Sequence, residues 1–415
     1  MNSKVWIALL LTVVFTLCST IVAIAAPVQQ FTNSIDMKAD PLVLSHHEQN
    51  YQILSVQIAP DNKGLVFVRR MFSPLFYESK WEGVYKYSQE EQRQFKTRVK
   101  ANPRIGDPEI VFMKLADKHM RFIDYGWDPV FSRDGQTLLY AHQKKPVSGL
   151  AYTFKGNEIR VYDMARNRRT TVARPSVGYF SKPEFTDTGA ILFALAGATQ
   201  DPDVREREIG VGIVDPATGK QQVLYKPVKE YGRHHLVDKF AIRDGACLVL
   251  RARPLTPDSG RTDVYAYELV DAEKHAVLYS WGKHIYFAWD KRADFRICPS
   301  GELEVYGDNG EWKVPVPGKT EQSDTEPAAP QSYNVYSSPD CAYAAILSKN
   351  YETVTIRSAR GEAERNWFAP GFITYLAWSP DASHIALVIR HGGVDVRFDF
   401  DELIVLRVHD MSASK

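Results

Sequence analysis

One turn returns seven times along this chain of 415 residues, and each time it stands between two apolar runs. The pattern reads LSVQIAPDNKGLVFV at 54–68, PVFSRDGQTLLYA at 129–141, PEFTDTGAILFAL at 183–195 and KFAIRDGACLVLRA at 239–252. It continues as FRICPSGELEVYG at 295–307, VYSSPDCAYAAIL at 335–347 and LAWSPDASHIALV at 376–388. The anchor of the turn falls on Asp61, Asp134, Thr188, Asp244, Ser300, Asp340 and Asp381, at intervals of 73, 54, 56, 56, 40 and 41 residues. Where Pro is present it sets φ at the first corner; the Asp or Ser side chain bonds the backbone two residues on, and Gly accepts positive φ. The flanking runs are short and rich in β-branched and aromatic residues, which makes them strands rather than helices.

A second hairpin follows in most units, as in EIRVYDMARNRRTTV at 158–172, IGVGIVDPATGKQQVL at 209–224 and DVYAYELVDAEKHAVL at 263–278. Two hairpins make a four-stranded antiparallel sheet in about 40 to 55 residues, the size of a propeller blade. Such a sheet buries both faces only by stacking radially against its neighbours. The sequence therefore predicts an all-β fold: a β-propeller of seven four-stranded antiparallel blades, with six or eight as alternatives, in one domain over 40–412. The last unit supplies only three strands of its own, with His384–Arg390 and Glu402–Val408 as its second and third. The extended segment Pro41–Ser45 is expected to be the fourth, so that the N-terminal strand closes the last blade.

Ahead of the repeat, Lys4 precedes 22 uncharged residues, Val5 to Ala26, ending in the small-x-small triplet Ala23-Ile24-Ala25. This reads as a signal peptide over 1–25, cut after Ala25, with an uncleaved signal anchor as the alternative. Either reading places the rest of the chain outside the cytoplasm, in the periplasm or otherwise exported. Cys18 would leave with the leader, and Cys247, Cys298 and Cys341 would remain. Cys298 and Cys341 occupy equivalent turns of consecutive units, and they are the pair expected to be able to form a disulfide. The chain carries 51 Lys+Arg against 50 Asp+Glu, which argues against a nucleic-acid binder that works through bulk positive charge.

Two segments break the pattern. An insertion at about 75–108 contains YSQEEQRQFKTRVKA, a helix pattern with Ser88 as N-cap, acidic residues in its first turn and basic ones later. From Lys86 to Arg104 it holds six basic and two acidic residues, either a solvated cap over the rim or a basic contact helix. Lys319–Gln331 is polar and Pro/Ala-rich and reads as a flexible connection.

Catalytic motifs are not found: no G-x-S-x-G elbow, Walker loop, H-E-x-x-H or C-x-x-C pair occurs. No cofactor is expected. Histidines at the start of inner strands would converge on a channel mouth, which singles out His234, His235 and His284, with Arg233 beside them. Several such imidazoles can share a metal, but adjacent residues of one strand point to opposite faces, so His234 and His235 give at most one ligand together. Asp395, Asp399, Asp401 and Glu402 lie close together in GGVDVRFDFDE, and hard oxygen donors at that density suit a divalent cation. The alternative for these acids is a solvated loop, with Arg390 and Arg397 nearby to offset their charge.

The turns WSPDASHIAL at 378–387, FSRDGQTLLY at 131–140 and APDNKGLVFV at 59–68 resemble the WD40-like repeat of the TolB propeller family. The resemblance covers about 50–410 and does not extend to the N-terminal α/β domain that TolB carries. It implies the fold strongly and the function weakly. Two functions are expected from it and from the residues. The first is an exported, non-catalytic binding platform for a protein or peptide partner in the cell envelope, monomeric and touching a membrane only if the leader is retained. The second is a metal-dependent channel enzyme acting on acidic oligosaccharides, in which His234, His235 and His284 hold a divalent metal ion.

Overall fold

All seven turns place the residue after the anchor in the left-handed region: Asn62 (φ 55), Gly135 (φ 69), Gly189 (φ 80), Gly245 (φ 81), Gly301 (φ 81), Cys341 (φ 60) and Ala382 (φ 58). Around them the side chains repeat one pattern of bonds. Ser132 Oγ donates to Asp134 Oδ1 at 2.6 Å, and that oxygen accepts from the Gln136 N–H at 3.0 Å. Ser338 with Asp340, and Ser379 with Asp381, do the same. At Asp381 burial opposes the charge, but the Ser379 and Ser383 hydroxyls outweigh it and hold the carboxyl far below its usual range. The backbone demand is separable from packing at Gly245, where an added Cβ would meet no atom within 4 Å. Gly245→Ala is therefore expected to cost about 1 kcal/mol in urea unfolding, from the left-handed conformation alone. An unchanged midpoint would contradict this turn geometry.

The computed structural model describes residues 42–49, 51–71, 89–144, 158–174, 179–196, 208–255, 264–285, 293–306, 312–315, 334–348, 350–358, 364–391 and 400–408. The leader at 1–25, Ser88, and the connection at 319–331 lie outside these residues. All the described residues belong to one unit, Asp40–Lys415.

The described strands are β1 (Leu42–Gln49), β2 (Tyr51–Ile58), β3 (Gly64–Met71), β4 (Glu109–Lys114), β5 (Met120–Phe131), β6 (Thr137–His142), β7 (Glu158–Asp163) and β8 (Arg168–Ala173). Of these, β2 to β8 form a continuous seven-stranded sheet in chain order. The long strand β5 joins its two halves. Its first half pairs with β4 from Met113↔Met120 to Glu109↔Tyr125, and its second half with β6 from Gly126↔His142 to Phe131↔Leu138. The next sheets are β9 (Tyr179–Phe185) to β12 (Gln221–Tyr225), with β10 (Ile191–Ala196) and β11 (Glu208–Val214) between them, and a small hairpin of β13 (Lys229–Glu230) and β14 (Arg233–His234). Then come β15 (Leu236–Arg243), β16 (Ala246–Pro254), β17 (Val264–Asp271) and β18 (Ala276–Ile285), and a three-stranded sheet of β19 (Phe295–Ile297), β20 (Leu303–Tyr306) and β21 (Trp312–Lys313). Four more strands, β22 (Asn334–Ser337), β23 (Tyr343–Leu347), β24 (Thr353–Ser358) and β25 (Glu364–Phe368), make another sheet. The last contains β26 (Phe372–Trp378), β27 (His384–His391) and β28 (Phe400–Arg407).

The fourth strand of that last sheet is β1, antiparallel to β28 from Leu42↔Leu406 to Gln49↔Phe400. This is the pairing the sequence predicts for Leu42–Leu44. The architecture is an all-β propeller of antiparallel sheets. Its core lies between neighbouring sheets, as where Leu44, Ile53, Val56, Phe67, Val388 and Val405 pack together from β1, β2, β3, β27 and β28. A helix, α1 (Gln89–Ala101), lies in the insertion between β3 and β4, as its pattern predicts. Arg104, just after the helix, fixes the insertion: it bonds Asp107 at 3.1 Å and the carbonyls of Gln143 and Lys144 at 3.1 and 2.7 Å, and lies over the Tyr125 ring.

Candidate ligand site in the central cavity

Residues from β2, β5, β9, β15, β19, β22 and β26, the strands that precede each repeated turn, line one cavity of about 1030 Å³. Several of these strands break register at the same height. Shifts fall between Ile53 and Ser55, Trp127 and Val130, Val237 and Lys239, and Ile373 and Tyr375, and opposite Leu192–Ala194 on β9. Bulges of this kind turn a side chain away from its regular direction. Asp128 (φ 49) and Lys182 (φ 47) occupy two of them.

Six residues before each turn anchor the chain carries Ser55, Asp128, Lys182, Asp238, Asp294, Asn334 and Tyr375. Four of them take part in bonds that step from strand to strand. Asp128 Oδ2 accepts from the Lys182 N–H at 2.9 Å. The Lys182 ammonium donates to the Asp238 carbonyl at 3.3 Å and pairs with Glu208 at 3.5 Å. Lys239 then reaches Asp294 at 2.7 Å and the Phe295 carbonyl at 2.6 Å. Burial raises the Asp128 pKa above the usual carboxylate value. Burial works against the Lys182 charge as well, but the carboxylates of Glu208, Asp238 and Asp128 more than offset it and raise its pKa.

Glu184, on the same strand as Lys182, also lines the cavity. Burial pushes its pKa up to about 7 against the pull of Lys239 and Lys182. Glu184 is nevertheless exposed to the cavity solvent, which screens part of this effect. A carboxyl raised in this way binds its proton more tightly in the folded state. That contribution to stability is fully present below the ordinary value of 4.5 and is lost as the pH rises through about 7. Glu184→Gln should therefore stabilise the protein at pH 8, by about 1 kcal/mol once screening by cavity water is discounted, and change little at pH 4. Thermal unfolding at the two pH values measures this; equal shifts at both would contradict the environment described for Glu184. Aromatic side chains complete the lining: Phe131, Tyr267, Phe295, Tyr336, Tyr375 and Trp378. Burial pushes the Tyr336 hydroxyl up to about 12 and raises Tyr375 as well.

The residues singled out in the sequence lie elsewhere. His234 ends β14 and the inner strand begins at Leu236, so His234 and His235 precede that strand instead of starting it. Neither lines the cavity. His235 belongs to a buried network in which its Nε2 lies 3.3 Å from Glu230, and Arg251 and Arg253 each reach Glu268 at 2.7 Å. Burial, and then Arg251, lower the His235 pKa. Arg233 lies over the Tyr265 ring at 5.2 Å. His284 pairs through its backbone with Tyr265, and its side chain is outside the described residues. Asp395 and Asp399 are also outside them. Asp401 accepts from the Ile53 N–H at 2.7 Å and from Arg390 at 2.9 and 3.1 Å, while Glu402 bonds Ser45 at 2.7 Å and His391 at 2.8 Å. Both carboxylates are thus taken up in fixing strands. The disulfide between Cys298 and Cys341 forms, with Cα atoms 5.7 Å apart, and Cys247 is a buried free thiol whose pKa burial pushes up to about 12. The cavity girdle itself escaped the sequence reading. Aligning the seven units on their turns and reading the column six residues upstream reveals it.

No protein-family model matches the chain, and no curated protein matches it. Among solved structures it is similar to the β-propeller domain of Cps50 (Swd1) from Myceliophteria thermophila, with a TM-score of 0.50 and 15% identity over 86% of this chain and 98% of that one. The likeness shows the fold, a β-propeller, and at that identity carries nothing about activity.

Proposed function

We propose that this chain is an exported, non-catalytic β-propeller that holds a protein or peptide partner in the cell envelope. On this reading the ring has seven four-stranded blades of the TolB-like repeat type, the last completed by β1, and the mature chain begins after Ala25. The observation that carries the platform reading is an asymmetry between the two ends of the sheets. At the end bearing the repeated turns, connections are short and alike. The opposite end carries the helix-bearing insertion and three of the four large aromatic residues that are exposed among the described ones: Tyr231, Phe368 and Phe372. Phe368 is 72% exposed, and Phe372 packs its ring against Tyr351 at 4.9 Å. Exposed aromatic residues of this kind anchor protein interfaces. Export is supported by the Cys298–Cys341 disulfide, which persists in oxidising compartments.

Fractionation of the native protein followed by N-terminal sequencing tests export. The expected result is a mature start at Ala26 in the envelope fraction with Cys298 oxidised. A chain that retains Met1, with reduced thiols in the cytosol, would overturn it.

A further inference from the structure

We propose that the turn-bearing end of the sheet β2–β8 docks on an anionic lipid surface, with Arg121 as the seat for a headgroup phosphate. The inference goes beyond the platform reading, which concerns the opposite end of the sheets.

Two kinds of turn share this end. The turn between β4 and β5 lies beside the repeated turn at Asp61, where the Leu115 N–H donates to the Lys63 carbonyl at 3.0 Å. The turn between β7 and β8 lies beside the one at Asp134, where the Met164 N–H donates to the Gln136 carbonyl at 2.9 Å. Together they expose Lys63, Lys114, Lys118, Arg133, Arg166 and Arg168, against Asp61, Asp117, Asp134 and Asp163. From β9 to β23 the same end carries the other sign. Asp187, Asp215, Asp244, Glu273, Glu302 and Asp340 are exposed there, against Lys220 and Lys274. A formal net charge of +1 for the chain thus conceals a positive face confined to one sheet.

Arg121 lies within that face, and the fold supplies it no counter-charge. Its guanidinium is 5.5 Å from the ring centroids of both Phe112 and Tyr162, and among the described residues it pairs with no carboxylate. Its Nε is shut off from solvent without an acceptor, while its terminal nitrogens are not closed off. A phosphate at those nitrogens would provide the missing anion in the geometry a guanidinium favours.

The residues on either side decide between a soluble polyanion and a bilayer. Met120 is 39% and Phe122 is 44% exposed, and a polyanion in water gains nothing from them. At a bilayer, apolar side chains enter the headgroup–acyl boundary while Lys and Arg meet the phosphates. The chain also enters β1 at this end. Leu42 lies opposite Leu406, beside the Arg407–His384 pair at the last repeated turn. On the export reading, the leader is therefore joined to the end that bears the positive face.

Vesicle flotation with the mature chain tests the proposal. At about 0.1 M salt, vesicles of phosphatidylcholine with about 30% phosphatidylglycerol should bind half the protein at about 1 mM lipid or less. Phosphatidylcholine alone should bind at least about tenfold more weakly. A cation near the surface contributes about fivefold, so Lys114→Glu with Arg168→Glu should lose at least about tenfold, and Arg121→Gln about fivefold. Phe122→Ser should lose about threefold. Lys220→Glu, on the acidic part of the same end, should change nothing. Neither Lys114 nor Arg168 has an ion pair among the described residues, so an unchanged unfolding midpoint in that double variant separates lost docking from misfolding. Equal binding to the two vesicle types, or full affinity in the double variant or in Arg121→Gln, would overturn the proposal. So would polyglutamate binding as tight as that to vesicles and indifferent to Phe122→Ser, which identifies an acidic polymer as the occupant. Failure here leaves the platform reading standing, because that reading is tested at the other end.

Discussion

Asp401→Ala should cost about 3–5 kcal/mol of unfolding free energy, the largest effect expected of any single substitution considered for this ring. Its side chain is 2% exposed and holds two parts of the seam together. One carboxylate oxygen accepts from the Ile53 N–H of β2, and the pair accepts both bonds from Arg390 of β27. Truncation leaves a partly buried guanidinium without this counter-charge and a buried backbone N–H without its acceptor, and each loss costs more than the pair itself contributes. Asp401→Asn keeps one acceptor for Ile53 and should lie between the two. Chemical denaturation gives the magnitude, and hydrogen exchange gives the location: protection should fall first in 42–58, where the first and last sheets meet. A loss under 1 kcal/mol, or exchange that rises uniformly, would contradict this account of the seam.

Removing the Cys298–Cys341 bridge is the second large effect. The cross-link spans 43 residues, and the chain-entropy relation for a loop of that length gives about 4 kcal/mol. Measured values often fall below that relation, so about 2–4 kcal/mol is expected for Cys298→Ser, with the double serine variant similar. The bridge joins the turn between β19 and β20 to the turn between β22 and β23, next to the bond from Arg296 to Ser337 at 3.0 Å. Thermal unfolding with and without reductant measures the effect. Equal stability in both conditions would mean that the bridge does not constrain the unfolded chain.

Much of the fold was legible because the repeat is local. Each turn needs an anchor, a left-handed residue and two short strands, and all of these are written within about fifteen residues. That is why the column Asn62, Gly135, Gly189, Gly245, Gly301, Cys341 and Ala382 shares one conformation. The closing strand and the cysteine pair followed from the same alignment. The candidate site was not legible residue by residue, because Asp128, Lys182, Asp238 and Asp294 are ordinary polar residues more than fifty positions apart. Only closure of the propeller brings Lys182, Asp238 and Asp294 to one cavity, with Asp128 bonded to the Lys182 N–H beside it. The histidines misled for a related reason. His234 and His235 stand two residues and one residue before Leu236, but the small β13–β14 hairpin keeps both off the cavity lining and sets His235 against Glu230, in the network of Arg253 and Glu268.

Site-specific photo-crosslinking in intact cells tests the platform reading most directly. A crosslinking residue placed at Tyr231 or Phe368 lies at the insertion-bearing end, and one at the exposed Asp187 lies in a repeated turn at the other. The account predicts covalent adducts with a second envelope protein or peptide from Tyr231 and Phe368 and none from Asp187. Adducts of equal yield from all three positions, or none from Tyr231 and Phe368, would contradict it.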